Sequence, residues 1–276
     1  MIQRAFLLGI LALILGATCG RIAPRPNDLE FLDVGQGDCA ALRYEGVTIL
    51  IDDGPVSHLG SGRQVAVTRA LRRRGVDSVD LILLSHPDAD HIGGTSALIA
   101  QCPGAKLLVS SQFRTQPKLL HSVQQWHLTA DRILWLPAEA DITIGRCSLH
   151  IECPPVTNRE DDNRGSMFVH LDDEGATADF SGDAPMDVEK AEAVHGSWRA
   201  DILHAGHHGS RNSSSDDWID AVHPRIAVIS CGRDNPYGHP HRATLSRFQA
   251  HQIPVVRTDE EGDLVFAPVH GHFVRQ

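Results

Sequence analysis

The chain has 276 residues, of which 42% are hydrophobic, and its formal net charge at pH 7 is -10. This length and hydrophobic content are sufficient for one large globular domain. Proteins that bind long tracts of nucleic acid carry clustered Lys and Arg along one face, and no such basic stripe is visible in this acidic chain. Composition therefore disfavours extended nucleic-acid binding.

The N-terminal 26 residues differ in character from the rest of the chain. Residues 5–17 are almost wholly apolar, a length typical of the hydrophobic region of a signal peptide and short for a membrane-spanning helix. Cys19 follows small residues, which favours a lipid-modified N-terminus, although the usual branched residue is absent three positions before it. We expect residues 1–26 to be a signal peptide or membrane anchor and residues 27–276 to form one domain. The protein is then exported, either to the periplasm or to a membrane-attached state that includes a lipoprotein.

Hydrophobic periodicity and turn residues predict short strands that later alternate with helices. Strands are expected at 29–34, 39–44, 47–51, 81–84, 106–109, 133–136, 148–152, 167–171, 177–181, 202–205 and 226–230. Helices are expected at 63–74, 95–101, 186–195 and 215–222, with a further helix starting near residue 243. This order suits two packed sheets with helices outside them, so we predict an α+β fold, a four-layer αββα sandwich.

The most informative motif is the loop SHPDADHIGG at 85–94, directly after the apolar strand 81–84. It places His86, Asp88, Asp90 and His91 within six residues. Imidazole and carboxylate groups are common ligands of divalent metal ions, and four of them at this spacing indicate two cations. We expect His86 and Asp88 to hold one cation, and Asp90 and His91 to face a second. A loop of solvated polar residues is the alternative.

The motif resembles the metal loop His-x-His-x-Asp-His of the metallo-β-lactamase superfamily, with Asp88 in place of the second His. The segments FLDVGQGD (31–38), HHGS (207–210) and YGHPH (237–241) extend the resemblance over roughly residues 28–270. With them the chain is similar to the C-terminal hydrolase domain of the ComEC family of competence DNA-uptake channels. The resemblance implies the αββα fold and a metal-dependent hydrolase.

Three downstream positions complete the predicted site. Asp183 follows the strand 177–181, and the resemblance implies that its carboxylate bridges both metals. His207 and His208 follow the strand 202–205. Because adjacent side chains on an extended backbone point to opposite sides, we favour His207 as the ligand of the second metal and His208 as a residue that supports it or contacts substrate, with the reverse left open.

His239 and His241 lie two positions apart in a turn before the predicted helix. The resemblance places His241 at the rim of the active site, as a ligand, an acid or a phosphate contact, and His239 beside the substrate or the ligands. Two histidines that only decorate a turn are the alternative. The candidate catalytic residues are Asp90, His208 and His241.

Further residues are candidates for supporting the metal ligands or contacting substrate: Asp33, Asp38, Asp52, Asn163 and Ser166. Asn163 and Ser166 match an Asn-rich stretch of ComEC-like domains, and Asp52 matches a support of the metal loop. Many members of the superfamily supply another His between the metal loop and Asp183, and this chain has none matching it there. Cys153 is more easily read as a packed residue than as a ligand. The odd number of cysteines after Cys19 allows a disulfide, such as one between Cys147 and Cys153, without requiring it.

Replacing an imidazole with a carboxylate favours harder cations, so both zinc and manganese suit the predicted pair of divalent ions. A water molecule between them would be acidified and would act as a hydroxide nucleophile. We therefore predict a metal-dependent hydrolase, a phosphodiesterase or nuclease-like enzyme. Its expected partners are a phosphodiester or small-molecule substrate, DNA, and the competence or envelope machinery.

Two other functions stay open. Hydrolysis of an amide or lactone, including β-lactams, is favoured by the export signal and disfavoured by the two missing histidines. A non-catalytic binding module for DNA uptake or envelope assembly would need no metal, and the retained ligand residues argue against it.

Overall fold

The computed structural model describes residues 26–56, 66–156 and 161–276. Residues 1–25, which include most of the expected signal peptide or anchor, lie outside this range. Within it, no helix is long and apolar enough to span a membrane. The strands are β1 (Asp28–Phe31), β2 (Ala40–Tyr44), β3 (Val47–Ile51), β4 (Leu81–Leu84), β5 (Lys106–Ser110), β6 (Ile133–Leu136), β7 (Glu139–Ile144), β8 (Cys147–Glu152), β9 (Phe168–Asp173), β10 (Ala176–Phe180), β11 (Ile202–His204), β12 (Ile226–Ile229), β13 (Val255–Arg257), β14 (Leu264–Val269) and β15 (His272–Arg275).

Helices connect many of these strands. The α-helices span Ala66–Arg73, Ala89–Ile92, Thr95–Gln101, Pro117–Trp126, Met186–Glu192, Asp216–Val222, Arg242–Ala250 and Thr258–Glu261. Shorter 3-10 turns occupy Ser111–Thr115, Ala130–Arg132, Asp162–Gly165 and His207–Gly209.

The strands form two sheets. One has the order β15-β14-β1-β2-β3-β4-β5-β6, and the other has the order β13-β12-β11-β10-β9-β8-β7. Each sheet joins an antiparallel part to a parallel part, which runs from β3 to β6 in the first and from β10 to β13 in the second.

One apolar core lies between the two sheets, and two more lie under the helices. The central core combines residues of both sheets, such as Leu42 and Ile49 with Leu149 and Leu171. Strand β8 shows how the sequence achieves this, because its buried and half-buried residues alternate with the two-residue period of a strand. The other cores pack the helices against the outer faces of the sheets. The predicted α+β fold with the αββα arrangement is confirmed.

The topology brings several strand ends to one edge of the sandwich. Strands β3 and β4 are parallel neighbours, as are β10 and β11. A residue that the sequence analysis singled out follows each of them within three positions: Asp52 after β3, His86 after β4, Asp183 after β10 and His207 after β11. In such sheets, ligands bind beyond the carboxyl ends of the strands. The fold therefore positions a site where these four strands end.

The five cysteines in the described part of the chain are buried and free. The pairing of Cys147 with Cys153 that the sequence allowed is not formed. Cys147 begins β8 and Cys153 follows its last residue. Six residues of extended chain span about 20 Å, far beyond the reach of a disulfide.

Asp53 anchors the loop that carries the predicted ligands. It is fully buried, and its Oδ1 accepts a hydrogen bond of 2.7 Å from the Gly94 amide. Its Oδ2 contacts the hydroxyl of Thr95, which lies 2.9 Å from the Ile92 carbonyl oxygen. Because that hydroxyl can donate only once, a proton on Asp53 satisfies both contacts. Burial, with a smaller contribution from the charge of Asp52, outweighs the opposing hydrogen bonds and raises the pKa of Asp53 to about 8.

Asp53→Asn should flatten the pH dependence of stability. Between about pH 4 and pH 8 the folded protein keeps the Asp53 proton and the unfolded chain loses it, so the free energy of unfolding falls as pH rises, by up to about 1.4 kcal/mol per pH unit. Asn cannot ionise and can still donate to Thr95. Urea unfolding of both proteins across this range measures the difference, which should grow with pH in favour of the variant. Parallel curves would mean that Asp53 is ionised in the fold.

Candidate metal centre

Three imidazole rings meet at the strand ends. His86 and His91 come from the loop after β4, and His208 comes from the turn after β11. The ring centroids of His86 and His91 are 4.1 Å apart, and those of His91 and His208 are 5.2 Å apart. All three are buried, and the Nε2 atom of each makes no hydrogen bond. Buried polar atoms are rarely left in this state without a ligand to satisfy them.

One carboxylate orients two of these rings. Asp52, which directly follows β3, accepts hydrogen bonds from the Ser85 amide and hydroxyl, at 2.8 and 2.7 Å. The Nδ1 of His91 lies 2.8 Å from Asp52 Oδ2, and the Nδ1 of His86 lies 3.0 Å from the Ser85 hydroxyl. Since the hydroxyl donates to Asp52, His86 donates to the hydroxyl. Both Nδ1 atoms therefore carry protons. The hydrogen bonds on the Nδ1 sides fix the two rings so that their Nε2 atoms face the centre.

The third ring, that of His208, comes from the other sheet and is held in the same way. His208 Nδ1 lies 3.0 Å from Asp38 Oδ1 and 3.1 Å from the Ser230 carbonyl oxygen, and both partners are acceptors. The turn that carries Asp38 packs against the metal loop. At Gly37 a Cβ atom would lie 2.4 Å from the Asp90 carbonyl oxygen, so the contact requires glycine. Gly37 of the segment FLDVGQGD thus allows the close approach of this turn to the metal loop.

Asp183 lies between the rings. It is buried, and its Oδ1 is 3.2 Å from His91 Nε2 without forming a hydrogen bond. Its Oδ2 is 3.9 Å from His86 Nε2, 3.4 Å from His207 Nε2 and 4.0 Å from His208 Nε2. The Asp183 amide donates to the Ser166 hydroxyl at 3.1 Å, which fixes the residue at the end of β10. One carboxylate thus reaches both halves of the cluster.

The carboxylates of the metal loop face different rings. Asp88 Oδ2 is 3.7 Å from His86 Nε2, whereas Asp90 Oδ2 is 3.3 Å from His208 Nε2. The His91 ring lies within 4.1 Å of the His86 ring and 5.2 Å of the His208 ring, between centroids. The carboxylates therefore mark one group at His86 and another at His208, and both His91 and Asp183 contact the two groups.

The backbone at the paired histidines differs from the sequence-based expectation. His207 and His208 both adopt left-handed φ angles, 51° and 53°, within a 3-10 turn. The alternation of an extended chain does not apply there, so both rings approach Asp183. His208 is buried against Asp90, and His207 is half-buried. His208 is thus the paired histidine in contact with Asp90, whereas His207 lies nearer to Asp183 Oδ2.

Opposite charges hold the buried cluster together. Burial lowers the pKa of His91, but the Asp183 and Asp52 carboxylates outweigh it and hold that pKa well above its ordinary value. Burial likewise acts against the charged form of Asp38, and the neighbouring His208 and His204 still lower its pKa to about 2. Burial also acts against the charged form of Asp183, but the imidazoles of His91, His208 and His86 hold its pKa well below its usual range.

The residues present fit divalent cations. One group comprises His86, His91 and Asp183, and another comprises Asp38, His91 and His208, and in each group the closest ligand atoms lie within 4.8 Å of one another. Asp38 meets the Nδ1 side of His208, so it supports that ring. Imidazole nitrogens with carboxylate oxygens suit zinc and also manganese. The fold implies divalent metals, and this cluster provides ligands for them.

The remaining predicted residues differ in their proximity to the cluster. The His239 ring lies 5.7 Å from that of His207 and 4.9 Å from that of His241, between centroids. Burial first, and then the neighbouring histidines, lower the pKa of His239 to about 4. Asn163 is half-buried in the turn before Ser166.

Asp33 is not part of this arrangement. Its amide donates to Asp263, and its carboxylate accepts from the Gly35 amide. Asp33 lies before the glycines that turn the chain toward the centre, whereas Asp38 lies after them. Its supporting role stays a prediction.

The sequence analysis missed two residues that shape the site. The Ser85 hydroxyl accepts a hydrogen bond from His86 Nδ1 and donates one to Asp52. Its position directly before His86 was an available signal. Lys118 Nζ lies 2.7 Å from Asp88 Oδ1 and 2.9 Å from Asp162 Oδ2. It comes from the helix Pro117–Trp126, which the sequence analysis did not predict, so no local signal linked it to the loop.

The two-sheet sandwich with a His and Asp cluster beyond its strand ends defines a class of metal-binding proteins. The chain belongs to the metallo-beta-lactamase superfamily, whose family model matches residues 32–233. The crystal structure of the metallo-beta-lactamase fold protein YhfI from Bacillus subtilis matches with a TM-score of 0.58. It is 10% identical, and the match covers 87% of this chain and 100% of that one, which supports the fold alone.

The resemblance to the ComEC family is confirmed by curated relatives. ComE operon protein 3 of Bacillus subtilis is 26% identical over 259 residues, which are 87% of this chain and 33% of that protein. Competence protein ComA of Neisseria gonorrhoeae is 30% identical over 238 residues, which are 85% of this chain and 31% of that protein. The chain spans about a third of the length of these relatives.

Asp52→Asn should weaken metal binding by about 10- to 100-fold, the usual effect of losing a carboxylate that orients a ligand histidine. The Asn amide would donate to His91 Nδ1 and move the ring proton to Nε2, the atom that faces the centre. Competition with a chromogenic chelator measures the affinity for zinc. Asp220→Asn, at an exposed position on the helix Asp216–Val222, is the matched control. Equal affinities in both variants would contradict this role for Asp52.

Proposed function

We propose that this chain is a binuclear metal-dependent phosphodiesterase or nuclease-like hydrolase. The observation that carries the proposal is the convergence of four buried atoms that make no hydrogen bond: the Nε2 atoms of His86, His91 and His208, and Oδ1 of Asp183. Three imidazoles and a shared carboxylate in one buried place are a costly arrangement without cations to satisfy them. The superfamily consists generally of hydrolases, which is the expectation for this chain as well.

The ligands divide between two cations. His86 and Asp88 would hold the first, Asp90, His91 and His208 would hold the second, and Asp183 would touch both. When bound, two divalent cations supply an acidified water as nucleophile and positive charge for a substrate oxygen.

The chain's own residues orient these groups and the substrate. Asp52 keeps the Nδ1 proton of His91 in place directly and that of His86 through Ser85, so that both Nε2 atoms stay free for ligation. His207 is half-buried beside Asp183 and faces the accessible side of the cluster, where it can contact substrate. His241 lies beyond His239 and can donate a proton or a hydrogen bond to a phosphate or to a leaving group.

The charges beside the cluster and the similarity to competence proteins support a phosphodiester substrate. Asp88 stands where an imidazole is usual, and Lys118 offsets the negative charge that Asp88 adds. One of the relatives is named competence protein ComA, and with the resemblance to the ComEC family this makes DNA and the competence machinery the proposed context. A DNA strand would be contacted locally, since the chain carries a net charge of -10.

We further propose that the domain acts outside the cytoplasm. The apolar residues 5–17 and the following Cys19 support export, with cleavage, lipidation or retention as an anchor as the alternatives. Residues 27–276 would then be the exported hydrolase domain.

Asp183→Ala should remove most bound metal and all measurable cleavage of a chromogenic phosphodiester. The wild-type protein from residue 27 onward should contain about two equivalents of metal per chain, and a chelator should abolish cleavage. Elemental analysis and the assay with zinc and then manganese measure both effects, with the exposed Asp220→Ala as control.

Two other results would redirect the assignment. Turnover of a chromogenic β-lactam without phosphodiester cleavage would support the amide or lactone hydrolase. Metal-free, inactive wild-type protein would support the binding module.

A further inference from the structure

Two hydrogen-bond donors face each other beside the proposed active site. The Arg211 backbone amide donates to His241 Nδ1 at 3.0 Å, so that nitrogen carries no proton. The ring proton therefore lies on His241 Nε2. The guanidinium group of Arg211 lies 3.3 Å from the same Nε2 atom and also presents only donors. Neither group can accept a hydrogen bond from the other, so an acceptor placed between them would satisfy both.

The backbone holds this pair in place. The His241 amide donates to the Gly209 carbonyl oxygen at 2.9 Å, and the Thr244 hydroxyl donates to the Ser210 carbonyl oxygen at 2.7 Å. These bonds join the turn after β11 to the start of the helix Arg242–Ala250. Gly209 has a φ of +80°, and a Cβ there would lie 2.6 Å from Pro240. Arg211 and His241 are thus held near each other by backbone contacts between their two segments.

The Arg211 charge has no carboxylate partner within 4.0 Å among the described residues, in contrast to Lys118, Arg164 and Arg257. A guanidinium group without a carboxylate partner, next to an imidazole N–H group, is suited to an anion, and phosphate is one of the anions whose geometry the guanidinium matches.

A neighbouring histidine presents a third donor. The side-chain oxygen Oε1 of Gln36 accepts a hydrogen bond from the Gly232 backbone amide at 3.0 Å. The side-chain nitrogen Nε2 of Gln36 therefore faces His239 Nδ1, at 3.4 Å. His239 Nδ1 is then an acceptor, and the His239 proton also lies on Nε2. His239 separates His241 from His207, so the Arg211 pair lies one side chain away from the proposed metal centre.

We propose that Arg211 and His241 form a binding site for a second phosphate, adjacent to the one that is cleaved. The inference rests on the proposed function and narrows its substrate class to molecules with at least two phosphates, such as a nucleic-acid strand. Arg211 is then a specificity-determining residue. A single local contact of this kind agrees with the acidic net charge, which disfavours binding along a long tract.

Paired dinucleotides test the site by turnover. Dithymidylate with a 5′-phosphate and dithymidylate without one differ only in the second phosphate. The metal-loaded wild-type protein should show a KM about tenfold lower for the phosphorylated form, with a smaller change in kcat, as expected for a charge-assisted contact. Arg211→Met should bring the two KM values within about twofold of each other, and Arg211→Lys should retain part of the preference. Arg146→Met, at an exposed arginine paired with Glu174, should keep it fully.

A binding measurement separates failure of this inference from failure of the proposed function. Dithymidylate with an uncleavable, uncharged methylphosphonate linkage can carry or lack the 5′-phosphate. The phosphorylated form should bind the wild-type protein about tenfold more tightly, and Arg211→Met should lose that difference whether or not the protein cleaves any diester. A wild-type protein that binds both forms equally, or a preference that survives in Arg211→Met, would overturn the second-phosphate site.

Discussion

The contact of buried imidazoles with the Asp183 carboxylate is the interaction around which the strand ends are arranged. Three Nε2 atoms and one carboxylate oxygen lie together without hydrogen bonds, in a place from which water is largely excluded. Leaving several polar atoms in that state costs free energy that other parts of the molecule must offset. Both sheets contribute by holding the Nδ1 sides of the rings: Asp52, Ser85 and Asp38 follow strands of the first sheet, and the Ser230 carbonyl oxygen follows β12 of the second.

This arrangement needs both sheets at once. The loop after β4 supplies the histidines and carboxylates of one side, and the ends of β10 and β11 supply Asp183 and His208. The apolar core between the sheets therefore does more than stabilise the fold, because it sets the distance between ligands that are about a hundred residues apart. Substitutions in that core are expected to affect metal binding as well as stability.

The sequence predicted most of the fold because buried strands leave a strong periodic signal, and it indicated the residues of the cluster because they lie within a few positions of strand ends. Strands β7, β13, β14 and β15 were missed. β13 and β15 are short and partly exposed, and β14 contains Pro268, a residue atypical of strands, whereas the alternation of β7 was an available signal. The roles of His207 and His208 could not be read from the chain, because two consecutive non-glycine residues with left-handed φ angles leave no pattern. Lys118 comes from a distant helix, and only the folded structure shows its contact with Asp88.

Anomalous diffraction from crystals grown with zinc or manganese tests the central claim most directly. The account predicts two anomalous peaks about 3.5 to 4 Å apart on either side of the Asp183 carboxylate, with the Nε2 atoms of His91 and His208 bound to the same peak. Well-ordered crystals in which these nitrogens surround no peak, or in which the metal lies elsewhere, would contradict it.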